Sequence, residues 1–238
     1  MNAQCLSLSY GEGLIEFQLE RRDRKTLSIS VRPDLGVEVI APLDAPLERI
    51  IEKVRRRAPW IRKQLTFFAQ FQPRTPERRY ISGETHLYLG RQYKLKVVPH
   101  IQQQVKLYRG QLVVQSLKPR QADLTAALVD EWYRQRAHVK FRERVDHCRQ
   151  AFSDPDAFEP GGLVVRQLQQ RWGSMTVGGK LILNLALIRA SVDAIDYVIT
   201  HELCHMAHAH HGPEFYQLLG KVMPDWEKRK LKLERQLA

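Results

Sequence analysis

The chain has 238 residues, 43% hydrophobic and 27% charged, the composition of a globular protein long enough to bury a real core and unlike that of a collagen, a coiled coil or a disordered chain. Lysine and arginine number 38 against 26 acidic residues, and the net charge of +12 excludes an acidic solubilising protein while making anionic partners plausible. No run of about 18 apolar residues occurs, so no membrane-spanning helix or membrane partner is expected, and Met1 to Phe17 lacks the pattern of a signal peptide.

In chain order, the first forty residues alternate like strands. Leu14 to Leu19 alternates, then Leu27, Ile29 and Val31, then Val37, Val39 and Ala41 after a Pro33-Asp34-Leu35-Gly36 turn. This pattern predicts an antiparallel meander with one wet face. From Pro46 to Phe71 the period becomes helical, with Leu47, Ile50, Ile51, Val54, Trp60, Ile61, Leu65 and Phe68 at spacings of three and four. Pro59 predicts a break or kink there. Lys53, Arg55, Arg56, Arg57, Arg62 and Lys63 make this the most basic stretch, either a solvated face or an anion-binding surface.

Gln72 to Arg79, with Pro73 and Pro76, reads as a linker. Short strands follow at Thr85–Leu89, Tyr93–Val98, Val105–Tyr108 and Leu112–Gln115, with hairpin turns at Gly90-Arg91 and Arg109-Gly110. Ala122 to Phe152 is helical and long enough to bend. Leu163–Leu168 and Lys180–Leu183 read as strands flanking Arg171-Trp172-Gly173-Ser174, with a turn at Gly178-Gly179. No internal repeat is visible in the residues. The expected class is α+β: a β-rich region over 1–118 with an inserted helical segment, then a helical region over 119–238 with a small sheet. The cysteines Cys5, Cys148 and Cys204 are odd in number and far apart, which fits a reducing cytoplasm better than a disulfide framework.

Chemistry concentrates between His201 and His211. His201-Glu202-Leu203-Cys204-His205 is a His-Glu-x-x-His sequence, preceded by a helix start at Ser191 with Asp193 in its first turn. Residues four apart lie about 40° apart around a helix and one turn apart along it, so both imidazoles can reach one ion. Glu202 lies about 100° from His201, where it reaches a metal-bound water rather than the metal. A catalytic zinc wants three protein ligands and an open position. His211 serves as the third if the helix ends near Ala209 and the chain turns back, as Gly212-Pro213 suggests; His208, His210 and Glu214 are the alternatives. On a continuous helix His208 would sit about 10.5 Å along the axis from His201, too far to converge well. Cys204 belongs to another face and reads as core.

These residues resemble the YgjP-like metallopeptidase domain proteins, relatives of SprT-like and other minimal zincins. The likeness also rests on Arg24-Lys25-Thr26-Leu27 with Val31-Arg32-Pro33, and on Ile81-Ser82-Gly83-Glu84 with Tyr88-Leu89-Gly90. Arg171-Trp172-Gly173-Ser174, Asn184, Asp196-Tyr197-Val198 and Pro224-Asp225-Trp226 complete it. The family often has Cys where Met175 stands and usually Asn where His210 stands. The resemblance implies a zinc metallopeptidase in which His201, His205 and His211 bind Zn2+ and Glu202 is the general base acting on metal-activated water. Its substrate would be a peptide or protein. Tyr216, Arg171 and His208 are the candidates for a second oxyanion donor. Trp172 and Asn184 read as structural neighbours of the site. The basic stretch keeps two rival readings open, a nucleic-acid-associated protease and a non-catalytic metal- or nucleic-acid-binding module.

Overall fold

Alternate burial decides the first sheet. The chain is seen in a computed structural model that describes residues 4–11, 13–32, 34–70, 78–169 and 171–237. Strands β1 (Gln4–Tyr10), β2 (Gly13–Arg22), β3 (Ser28–Val31) and β4 (Val37–Pro42) form a sheet in the order β1-β2-β4-β3. Ile15, Phe17 and Leu19 of β2 and Val37, Val39 and Ala41 of β4 share its buried face. Helix α1 (Leu47–Ala69) closes that core with Ile50, Val54, Ala58 and Ile61.

The expected meander is corrected here. β2 and β4 are parallel, with Leu19 opposite Val39, and β3 pairs antiparallel to β4 on the outside. The reason is burial: β4 buries alternate residues completely enough to take a central place, whereas β3 is only half-buried along its length. β1, absent from the expected strands, pairs antiparallel with β2 and buries only Leu8, so its periodic signal is weak. The helix also runs through Pro59 without a break. Arg55, whose carbonyl would have accepted the missing N–H, and Pro59 itself both lie on the exposed side of the helix, where the lost bond costs least. Pro33 of the expected turn, Phe71 at the end of the expected helical segment and residues 72–77 of the expected linker lie outside the described residues.

Strands β5 (Thr85–Tyr88), β6 (Arg91–Pro99), β7 (Gln104–Tyr108) and β8 (Gln111–Ser116) repeat the plan: order β5-β6-β8-β7, with β6 parallel to β8, followed by helix α2 (Ala122–Arg149). The repeat is one of topology, which asks for similar alternation rather than similar residues. Contacts divide the chain into Met1–Pro76 and Glu77–Leu237. The sequence turns from strand-rich to helical at about residue 118, yet the second sheet goes with the helices. Leu95, Leu112 and Val114 share one core with Val129, Tyr133 and Phe141 of α2.

The rest of the second unit builds the frame around the histidines. β9 (Gly162–Arg166), β10 (Gly173–Met175) and β11 (Lys180–Asn184) form a sheet in the order β10-β11-β9. A 3-10 turn over Leu185–Arg189 leads into α3 (Val192–Cys204), α4 (Pro213–Val222) and α5 (Trp226–Leu237). Ser191 is the residue that starts α3, as expected, but its side chain makes no capping bond; its N–H donates to Gln236 Oε1 of α5 at 2.9 Å. The β5–β6 turn anchors the same point: Leu89 and Gly90 N–H donate to the Ile188 and Arg189 carbonyls at 2.9 and 3.1 Å. Gly90 is required twice over, by its φ of +76° and because a Cβ there would lie 2.8 Å from Ser191 Cα. Arg144 of α2 clamps Asp196 of α3 with two bonds of 2.7 and 2.8 Å. The class is α+β. Among the described residues no helix is long and apolar enough to cross a membrane.

Candidate active site

Helix α3 is apolar on nearly every side and therefore buried, and its last turn brings its polar groups to one recess. The helix does not run to Ala209 as anticipated. It ends at Cys204, and a tightened turn follows, in which Met206 and Ala207 N–H donate to the Leu203 and Cys204 carbonyls at 2.9 and 3.2 Å. The chain then leaves the axis and re-enters a helix at Pro213, the first residue of α4. That early departure returns His211 towards α3. Its Nε2 lies 3.0 Å from His201 Nε2 and 3.1 Å from His205 Nε2.

Three imidazole nitrogens this close fit a divalent cation. A tetrahedral ion with bonds of about 2.0–2.1 Å holds its ligand nitrogens about 3.3 Å apart. His205 Nδ1 faces the His208 carbonyl at 3.0 Å. A ring donating there carries its proton on Nδ1 and leaves the Nε2 lone pair free. Burial, reinforced by the neighbouring rings and Lys230, lowers His201 to about 4, and burial with His205 lowers His211, so both rings are neutral near pH 7. His201 Nδ1 is buried and has no hydrogen-bond partner among the described residues. Beneath all three rings lies Phe215 of α4, fully buried, with ring centroids 5.0, 4.6 and 4.8 Å from those of His201, His205 and His211.

Glu202 reaches the same recess from the side. It is 7% exposed, and burial pushes its carboxyl up to about 7, against the opposing pull of the Met175 N–H and the Arg171 charge. Its Oε2 accepts from the Met175 N–H at 2.9 Å. Because that bond comes from the main chain, the residue type at 175 does not alter it. Gly173 lets β10 approach so closely: a Cβ there would lie 2.8 Å from Glu202 Cγ, 3.0 Å from its Oε1 and 3.1 Å from Val198 Cγ1. The stretch between the two expected strands thus supplies a short edge strand of its own. Asn184 holds it, donating from Nδ2 to the Leu168 and Arg171 carbonyls at 2.9 and 3.0 Å, while its N–H bonds the Trp172 carbonyl.

The recess has a volume of about 640 Å³ and is walled by Trp172, Met175, Val177 and Tyr197 beside the three histidines. A YgjP-like, metallopeptidase domain model matches residues 25–236 of the chain. The chain belongs to the YgjP-like family. No curated protein matches it.

Among the alternatives weighed for a third ligand in this YgjP-like chain, His208 Nδ1 faces Glu214 Oε2 at 3.6 Å, and His210 lies at the rim of the recess. Of the oxyanion candidates, Arg171 lines the recess, whereas the Tyr216 ring sits between Trp226 at 5.6 Å and His211 at 6.3 Å. Cys204 is fully buried, and burial raises its thiol to about 12, which makes it inert packing. The sequence does not single out Phe215, and Gly173 and Met175 stand out there only for the resemblance, without their contacts to Glu202. Phe215 belongs to an apolar stripe with Leu219, which announces burial but not what lies above it.

Proposed function

We propose that this family member is a zinc-dependent peptidase, with His201, His205 and His211 holding Zn2+ and Glu202 acting as general base. The observation that supports this reading is the convergence of three imidazole Nε2 atoms, two of the separations being 3.0 and 3.1 Å, at a recess that also receives a buried carboxylate. When bound, the ion supplies Lewis acidity to the scissile carbonyl and acidifies water in its open position.

The chain's own groups do the rest. The Met175 N–H holds Glu202 Oε2, and Gly173 leaves room at Oε1. Burial leaves the carboxyl able to exchange a proton near neutral pH. Glu202 takes a proton from the attacking water as the new C–O bond forms. It returns that proton to the amine nitrogen as the C–N bond breaks, so the step balances without a further reactant. β10 is an edge strand, paired on one side only with β11. Its other side borders the recess, where an extended peptide can add as a strand through main-chain bonds.

Glu202→Gln tests the assignment. The variant is expected to retain one zinc per chain by metal analysis and to lose about 10²–10⁴-fold of its cleavage of a mixed peptide library. His201→Ala is expected to lose the zinc itself. Cleavage surviving in Glu202→Gln would remove Glu202 from the role of base.

A further inference from the structure

We infer that the exposed face of α1 in the first unit binds single-stranded nucleic acid, its phosphates on Lys53, Arg56 and Arg57 and an unpaired base on Trp60. These four residues stand at i, i+3, i+4 and i+7, which is one stripe of a helix. All four are exposed, while Ile50, Val54, Ala58 and Ile61, about 100° further round the helix, are buried against the sheet. Among the described residues none of the three cations has an ion-pair or hydrogen-bond partner, although the protein elsewhere pairs arginines readily. Trp60 is 37% exposed, a large apolar surface to leave in water.

The stripe overlooks a recess of about 620 Å³ between α1 and β3, floored by Leu27 and Ile29 and lined by no acidic residue. Arg49 continues the positive stripe one turn earlier, so the cations from Arg49 to Arg57 span about 12 Å of helix axis, more than one phosphate needs. Cations that track a phosphate chain beside an aromatic plane are the physical requirements of single-strand binding. A duplex offers no unpaired base to Trp60. A membrane surface requires an exposed apolar stripe, and that of α1 is turned into the core. The recess lies wholly within the first unit, so the inference does not depend on the peptidase reading.

Fluorescence anisotropy of an end-labelled 20-nucleotide oligo(dT) with the full chain tests it. Binding is expected to weaken with salt, with a log–log slope of about −0.7 for each phosphate neutralised. Lys53→Ala, Arg56→Ala and Arg57→Ala combined is expected to flatten the slope by about 2 and to weaken binding at low salt at least tenfold. Should that variant unfold, each single substitution is expected to flatten it by about 0.7. Lys106→Ala, Arg120→Ala and Arg142→Ala combined removes equal charge from the second unit and is expected to leave binding within twofold. Trp60→Ala is expected to weaken binding about 5- to 150-fold at unchanged slope, and Trp60→Phe to recover most of it. The inference is overturned if wild type does not bind at 50 mM salt or if both triple variants lose equally. It is also overturned if a blunt duplex of the same length binds as tightly, or if phosphatidylserine vesicles bind and the oligonucleotide does not.

Discussion

Gly173→Ala places one methyl group where β10 meets α3. Its Cβ would lie 2.8 Å from Glu202 Cγ, about 0.7 Å inside the shortest favourable carbon–carbon contact of about 3.5 Å. Val198 blocks relief on the other side, 3.1 Å away and 3% exposed, with a β-branched side chain that has little rotamer freedom. The flexible partner is Glu202, so the carboxylate moves. Its 2.9 Å bond to the Met175 N–H is then stretched or lost. Overpacking of this kind costs about 1–3 kcal/mol, which for a unit of this size lowers Tm by about 2–12 °C. A general base displaced by most of an ångström costs on the order of 10² in kcat. On the proposed function, zinc content is expected to stay at one per chain, because none of the three atoms nearest the added methyl belongs to a histidine. Peptide-library cleavage, metal analysis and a thermal melt of the same preparation separate these effects. Wild-type kcat with a wild-type melt would refute the close approach of β10 to Glu202.

Phe215→Ala removes the surface on which the three imidazoles rest. It is expected to cost about 3–5 kcal/mol by urea unfolding and to weaken zinc retention in a chelator competition, whereas Phe215→Leu loses less of both. Asp196→Ala leaves Arg144 facing a largely buried gap, and a loss of about 3–5 kcal/mol is expected in the same unfolding assay. His86 is 3% exposed, and burial holds its imidazole below the ordinary range, opposed by Glu84. The unfolded chain therefore binds more protons than the folded one below about pH 6.5, and stability falls as the pH drops through that region. Glu84, whose carboxyl is held low by the Arg79 and Tyr80 N–H groups, contributes stability that is lost only below its ordinary value of 4.5. Comparing urea midpoints at pH 7.5 and 5.5 in zinc-saturated protein, His86→Gln is expected to show the smaller drop; an equal drop would remove His86 as a source of the pH dependence.

Much of the candidate site was legible because its central part is local. Two histidines four apart on a helix must share a face, and the neighbouring glutamate must not, whatever the rest of the chain does. The α+β class was legible for the same reason, since strand and helix periods are written into consecutive residues. The third imidazole was less sharply legible: Gly212-Pro213 pointed to a change of path that favours His211, and the resemblance implied the same residue. From spacing alone His208, His210 and Glu214 still compete with it, and which group meets the other two depends on α3 ending at Cys204 and the chain re-entering at Pro213.

Other features depend on residues far apart in the chain, which no local pattern couples. Glu202 is held by a strand 27 residues earlier, through a main-chain N–H that any residue type carries. β4 lies between β2 and β3 because burial across the whole sheet outranks chain order. The second sheet shares its core with α2, although the sequence changes character between them. The residues by themselves determined which groups could do chemistry; packing between distant segments decided which of them meet, because burying the apolar faces together is what brings those segments into contact.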